Sequence, residues 1–354
     1  MLFEVKNVDK EFYAEHLAGF LPAKMIDIHT HVWLKQFHPQ SEQLNRGAQW
    51  PSLVAEDNCI EDLMQTYDLM FPGQEVIPLV FGSPRRGVDL EATNGYASQV
   101  ARQHSLPSLL VSTPKWNAGE LVQRVHEGGF LGLKPYLSFA PSSIASGDIT
   151  IYDFLPPAHL QAANEGGWMV MLHIPRKDRL RDPVNLGALL EIERKFPNAT
   201  VIIAHIGRAY CPEDLGEAFE VLGDTEHMLF DFSAHTNAKV MEGLIRTVGP
   251  QRILFGSDMP ILRMRMRRIC RDGRYVNLVP PGLYGDVSDD PNMGEVSQKE
   301  GEKLSFFMYE ELLAFRRAAE AAGLSSTDLE DVFHNNAARV IAKVQHNLGT
   351  RSLA

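Results

Sequence analysis

Short apolar runs alternate with amphipathic stretches along almost the whole chain. The runs at 25–31, 75–82, 108–113, 130–136, 168–173, 200–205, 227–233 and 252–258 are rich in Ile, Val, Leu, Met and Phe. Near-continuous runs of this length predict strands buried on both faces. Between them, 61–70, 89–104, 117–127, 153–165, 185–196, 213–222 and 236–247 read as helices, several closed by Gly-Gly or Pro-Asn. Eight strand–helix units predict an α/β fold, a (β/α)8 TIM barrel, with residues 1–354 forming a single domain. A helix over 9–20 precedes the first strand. A long loop follows strand eight, and helices over 304–345 form a C-terminal extension. Residues 35–60, with Trp50, read as a polar loop. An open doubly wound sheet is the alternative, but no G-x-G-x-x-G follows a strand here.

Six polar residues interrupt these runs near their C-terminal ends. His29 and His31 end strand one, Lys134 lies near the end of strand four, His173 ends strand five, His205 strand six and Asp258 strand eight. These are C-terminal strand ends, where barrel active sites lie. Simple alternation puts His29 and His31 on one face together with Asp27, and Ile26 and Ile28 on the other. Two imidazoles at i and i+2 can share a metal ion, and imidazole suits zinc and its first-row neighbours. A buried polar group without a partner costs about 1–3 kcal/mol, so six at one mouth require a common purpose.

Composition narrows the field. A net charge of −11 over 354 residues argues against nucleic acid and anionic membranes as partners. The N-terminus lacks the pattern of a signal peptide, and no apolar run approaches a membrane span. Cys59, Cys211 and Cys270 are too few and too scattered for a disulfide framework, so they read as thiols in a reducing cytoplasm.

The order His-x-His, His, His, Asp on strands one, five, six and eight resembles the amidohydrolase superfamily. The local sequences resemble its amidohydrolase-related branch of aminocarboxymuconate-semialdehyde-type decarboxylases and lactonases. The matching pieces are residues 26–31, 132–134, 196–200 leading to 204–207, 254–260 and 335–339. The resemblance implies one divalent metal ion, zinc or manganese, held by His29, His31, His173 and Asp258. Asp258 and His205 would be the catalytic pair, Asp258 moving a proton of the metal-activated water and His205 steadying the developing oxyanion. Two-metal relatives carboxylate the strand-four lysine to bridge their ions, so a two-metal site with carboxylated Lys134 stands as the alternative. Otherwise Lys134 serves the substrate as a free cation or pairs with a carboxylate.

Substrate clues are arginines. Arg263, Arg265, Arg267, Arg268, Arg271 and Arg274 crowd the segment after strand eight, either as an anion-binding loop or as a solvated or subunit-contact face. Arg85 and Arg86 follow strand two. Arg176 and Arg208 lie just past His173 and His205 and are the expected substrate contacts, with Lys134. Trp33, Trp116 and Tyr136 could wall a pocket or pack. Residues 273–300 read as a turn-rich lid rather than a calcium loop. The expected function is hydrolysis of a lactone or amide bond in a small anionic molecule. The rival is nonoxidative decarboxylation of an aromatic or unsaturated acid, and a non-catalytic binding barrel is a third. A homodimer is possible, since Phe306, Phe307, Leu312, Leu313 and Phe315 could serve either core or interface.

Overall fold

The computed structural model describes residues 2–38 and 54–351. Eight parallel strands line up as β1 (Lys24–His31), β2 (Glu75–Phe81), β3 (Leu110–Ser112), β4 (Gly132–Pro135), β5 (Met169–Leu172), β6 (Thr200–Ile203), β7 (Leu229–Asp231) and β8 (Ile253–Leu254). β1 pairs with β2, and β3 to β8 pair in order. Two bridges complete the ring, Val80 with Ser108 and Thr30 with Met259. At the second seam Asp258 N–H donates to His29 O at 2.8 Å, and His31 N–H donates to Met259 O at 2.9 Å. The first strand therefore meets the last one through the expected site residues.

Helices follow the strands as expected, among them α1 (Asn7–His16), α2 (Ile60–Met70), α3 (Leu90–His104), α4 (Ala118–Gly128), α5 (Pro157–Gly166), α6 (Pro183–Lys195), α7 (Ala218–Gly223), α8 (Ala238–Val248), α9 (Phe307–Ala322) and α10 (Asn336–Arg351). The helix expected over 213–222 is instead a 3-10 turn, Pro212–Asp214, followed by the short α7. Most of the polar loop expected over 35–60, Trp50 included, lies outside the described residues.

Two apolar shells hold the barrel. Ile26, Ile28, Leu79, Val111, Met171 and Ile202 fill the ring, while Val80, Leu110, Leu133, Val170 and Ile203 face the helices. Ala337, Val340 and Val344 of α10 join the inner cluster beside Ile26 and Met169, at the strand starts, so α10 plugs the N-terminal mouth. Asn336 donates from its side-chain amide to the carbonyls of Pro250 and Ile253, both at 2.9 Å, and so fixes the start of β8. Phe306, Phe307, Leu312, Leu313 and Phe315 are all buried within the chain, as core.

Alternation fails in β1, and the failure matters. Asp27 pairs with Pro78 and Thr30 with Val80, leaving Ile28 and His29 both opposite Leu79. Such a bulge turns two successive side chains to one side. Ile28 and His29 therefore both face the interior, and Asp27 does not join the histidines as strict alternation required. Its carboxylate instead accepts from Tyr67 Oη, Ser257 N–H (each 2.8 Å) and His29 N–H (3.2 Å), bracing the bulge from behind.

The segment after β8 is not a loop. β9 (Arg267–Arg271) and β10 (Arg274–Val279) form an antiparallel hairpin, and β11 (Met293–Glu295) runs parallel to β10. The hairpin folds over the residues following β6 and brings Cys211 and Cys270 together. They form a disulfide with Cα atoms 5.8 Å apart across 59 residues, where three thiols were expected. Cys59 is free. Among the described residues no helix is long and apolar enough to cross a membrane.

Candidate active site

The C-terminal mouth opens into a cavity of about 520 Å³. His29, His31, Lys134, His173, His205 and Asp258 all line it. Within the set, three residues converge. His31 Nε2 lies 3.2 Å from Asp258 Oδ1, and His29 Nε2 lies 3.6 Å from the same oxygen.

Proton positions follow from the outer partners. His29 Nδ1 is 2.9 Å from Asp231 Oδ2, and His31 Nδ1 is 3.2 Å from Gly82 O. Both partners are acceptors, so each Nδ1 carries the proton and each Nε2 presents a lone pair. Burial lowers the pKa of both imidazoles, which favours their neutral forms. Burial pushes Asp258 up, but the His31 contact and the surrounding imidazoles outweigh it and hold the carboxyl below its usual range. Two lone pairs thus point at a carboxylate oxygen, a repulsive arrangement that a cation resolves. The three residues fit a divalent metal.

Asp231 escaped the sequence reading, although it ends strand seven just as the other polar residues end theirs. It is fully buried, and burial raises its pKa, but the His29 contact wins and takes it down to about 2. Its Oδ1 accepts from the main-chain N–H of His205 at 2.9 Å and of Ser233 at 3.1 Å. His29, His205 and Asp231 also lie close enough for a metal. With both Asp231 oxygens engaged, its role is to orient His29.

His205 begins a run of left-handed backbone, with φ of +56°, +48°, +58° and +61° at His205, Ile206, Gly207 and Arg208. Asp258 is left-handed too, at +54°. Non-glycine residues rarely hold this conformation, and such strain concentrates at functional sites. His205 Nδ1 is 2.9 Å from Ser233 O, so its Nε2 is an acceptor towards the cavity, and burial lowers its pKa to about 4. His173 packs on Tyr136 and His205 with ring centres 4.8 and 5.2 Å away. Its buried Nδ1 has no hydrogen-bond partner. It falls outside the His29–His31–Asp258 group but faces the same space.

Lys134 is fully buried, donates towards His29 Nε2 at 3.3 Å, and lies 5.0 Å from the centre of the Phe81 ring. Burial lowers its pKa to about 8, against the pull of Asp231 and Asp258. Arg176 donates to Asp182 at 2.8 Å, and Arg208 donates to the carbonyls of Ile174 and Arg176 at 3.2 and 3.3 Å. Neither is among the lining residues. The cations that line the cavity with Lys134 are Arg85, Arg86 and Arg268. Trp33 and Tyr136 are also in the wall. Trp116 instead stacks under Arg124, 4.4 Å away.

A closed barrel whose first and last strands bring two histidines and an aspartate to one mouth defines an enzyme of the metal-dependent (β/α)8 class. The amidohydrolase family model matches residues 26–268. The chain belongs to the amidohydrolase family. Solved structures share the fold at low identity. An amidohydrolase from Burkholderia multivorans with bound zinc is 14% identical with a TM-score of 0.56, covering 90% of this chain and 99% of its own. A protein from Pseudomonas putida assigned as a 2-pyrone-4,6-dicarboxylic acid hydrolase is 15% identical, with a TM-score of 0.52 and coverage of 91% and 98%. A dihydroxybenzoic acid decarboxylase from Polaromonas, holding manganese and 2-nitroresorcinol, is 13% identical, with a TM-score of 0.53 and coverage of 91% and 97%. No curated protein sequence matches the chain.

Proposed function

We propose that the chain is a metal-dependent hydrolase cleaving a lactone or amide bond in a small anionic molecule. The observation that carries this reading is the convergence of two Nε2 lone pairs on the Asp258 carboxylate. His29, His31 and Asp258 would hold one divalent ion, zinc or manganese, and His173 with its orphaned Nδ1 would complete the set. A bound ion there supplies Lewis acidity, which brings the pKa of water towards neutrality and polarises a carbonyl.

The protein's own groups do the rest. Asp258, ionised at neutral pH, accepts a proton from the attacking water. His205 Nε2 is an acceptor in its resting tautomer, so it receives a proton before it can give one to the departing group. Lys134 and the phenol of Tyr136, whose pKa burial pushes up to about 12, are two of the donors facing the cavity. They suit an oxyanion or a substrate carboxylate. Lys134 here acts as a free cation, its ammonium 3.3 Å from His29 Nε2. The cytoplasmic setting read from the sequence belongs to this proposal, and against it stands the Cys211–Cys270 disulfide, a bond commoner in oxidising compartments.

The deciding experiment counts metal in protein purified without chelator or nickel, then assays lactones, amides and aromatic acids for acid and CO2 release. About one zinc or manganese per chain with acid release supports the hydrolase. CO2 release at the same metal content replaces it with the decarboxylase, which uses the same ligands. No tight metal after zinc and manganese are supplied removes both.

A further inference from the structure

The Cys211–Cys270 bond ties the tip of the β9–β10 hairpin to a fixed point on the barrel. Cys211 is fully buried, and its N–H donates to Asp214 Oδ2 at 2.9 Å, an oxygen that Arg179 also meets at 2.6 Å. Cys270 is exposed on β9, two residues before the turn at Asp272 and Gly273. Left-handed backbone at both turn residues, with φ of +51° and +71°, suits a tight hairpin. The bond spans 59 residues that include β7, α8 and β8, so no short length of chain duplicates the tie.

The tie also bears on the site. Cys270 pairs in register with Tyr275 of β10, and Tyr210 directly precedes Cys211. The two tyrosine rings meet edge to face with centres 4.9 Å apart, and both line the cavity at the C-terminal mouth. The hairpin's other ties lie at its root. Arg267 pairs with Glu310 at 3.0 Å, and Arg268 Nη1 donates to the Ala234 carbonyl. With the tip released, these would still hold the root.

The bond can be reached. Cys270 lines a second cavity, of about 300 Å³, walled also by residues of α8 and α9. Tyr210 and Arg268 line both cavities and so stand between them. Lys239, Arg268 and Arg317 line the second cavity against one acid, Glu310. A thiolate is an anion, and cations favour its presence there.

We infer that the Cys211–Cys270 disulfide is a reversible redox modification site, reduced by a dithiol that enters the second cavity, and that its cleavage releases the hairpin tip and loosens the Tyr210–Tyr275 wall of the first. One thiolate of the dithiol attacks Cys270 Sγ. The sulfur–sulfur bond breaks, and Cys211 leaves as a thiolate that takes up a proton. The second thiol of the reductant attacks the mixed disulfide and frees Cys270, which is protonated in turn. Two electrons and two protons pass to the protein, and the dithiol departs as a disulfide. Which form prevails is set by the redox poise of the surroundings. The inference goes beyond the proposed function, since it holds whichever bond the enzyme cleaves.

The test counts thiols and follows hydrogen exchange in metal-loaded protein purified in air, with dithiothreitol as the dithiol. Alkylation in denaturant should find one thiol per chain before treatment, Cys59, and three after the native protein has met dithiothreitol. Oxidised glutathione should return the count to one. Reduction should speed amide exchange over 267–279 by roughly tenfold or more while leaving β5 and β6 unchanged. Cys270→Ser should exchange there at the reduced rate and ignore dithiothreitol, which separates loss of the bond from capture of metal by the reductant. Three thiols before treatment overturn the inference, and so does a bond that yields to dithiothreitol only in denaturant. Unchanged exchange over 267–279, or loosening spread evenly through the barrel, overturns it as well. Should Cys270→Ser fail to fold, Cys211→Ala reads the same exchange. No step of the test depends on turnover, so a failed hydrolase assay leaves the result standing.

Discussion

Asp258 carries the heaviest demand of any single residue in the site. One of its oxygens lies near two histidines, and in the proposed reaction it is the group that moves a proton. Asp258→Asn keeps the shape and removes the charge. It should lower kcat/KM by roughly 10²–10⁴-fold, while the melting temperature of the metal-free protein stays within a few degrees of the parent. Activity near the parent level would remove Asp258 from the mechanism. Lys134 makes a different prediction, because its charge is lost within reach of ordinary buffers. With a pKa lowered to about 8, it is cationic below that pH and neutral above it. If the cation is what serves the substrate, kcat/KM falls as pH rises through about 8, and Lys134→Met flattens that limb. The sign for stability runs the other way. Between about 8 and the ordinary value of 10.5, the unfolded chain holds a proton that the native chain has shed, so raising pH through that window stabilises the fold.

Much of this was legible in the sequence, for a physical reason. A polar side chain closing an apolar strand stands out because burial without a partner is costly, and His29, His31, Lys134, His173, His205 and Asp258 each do so. Asp231 met the same criterion in the run 227–233 and was read past. Arg176 and Arg208 lie near His173 and His205 in sequence. Left-handed backbone at both, with φ of +61°, is where that nearness stops being informative about direction.

At the scale of elements, the strand–helix alternation and most boundaries could be read, because helical period and strand run length differ plainly. The bulge in β1 could not. It depends on how β1 pairs with β2, and no single strand shows its partner's register. The hairpin after β8 was hidden for another reason. Its strands are short, and β9 is rich in arginine and largely exposed, so it lacks the apolar alternation that marks a strand. Gly132 shows how tightly neighbouring strands are fitted. At φ +155° it opens β4, and an added Cβ would lie 2.0 Å from Met169 O on β5. Gly132→Ala should therefore cost at least about 3 kcal/mol and reduce activity by displacing Lys134 two residues on. Urea unfolding measures it, and an unchanged midpoint would show that β4 and β5 can separate there at little cost.

At the scale of the whole molecule, metal and fold should report on each other. The converging ligands come from segments 227 residues apart in the chain and are assembled only in the folded state. An ion that binds the native chain and not the unfolded one raises stability by mass action. Treatment with a chelator should abolish turnover and lower the melting temperature, and zinc or manganese should restore both. Recovery of the melting temperature without recovery of turnover would mean the ion is structural.

The seam between β1 and β8 has a consequence for how the enzyme comes to exist. His31 and Asp258 stand 227 residues apart in the chain. A nascent chain still on the ribosome displays His29 and His31 early, and a histidine pair alone is a weak and unselective trap for ions. The carboxylate that completes the trap emerges 227 residues after His31, and the α10 stopper that seals the far mouth emerges later still. Under the proposed function, loading would therefore follow synthesis, and the choice of ion would fall to whichever the cell offers a finished barrel.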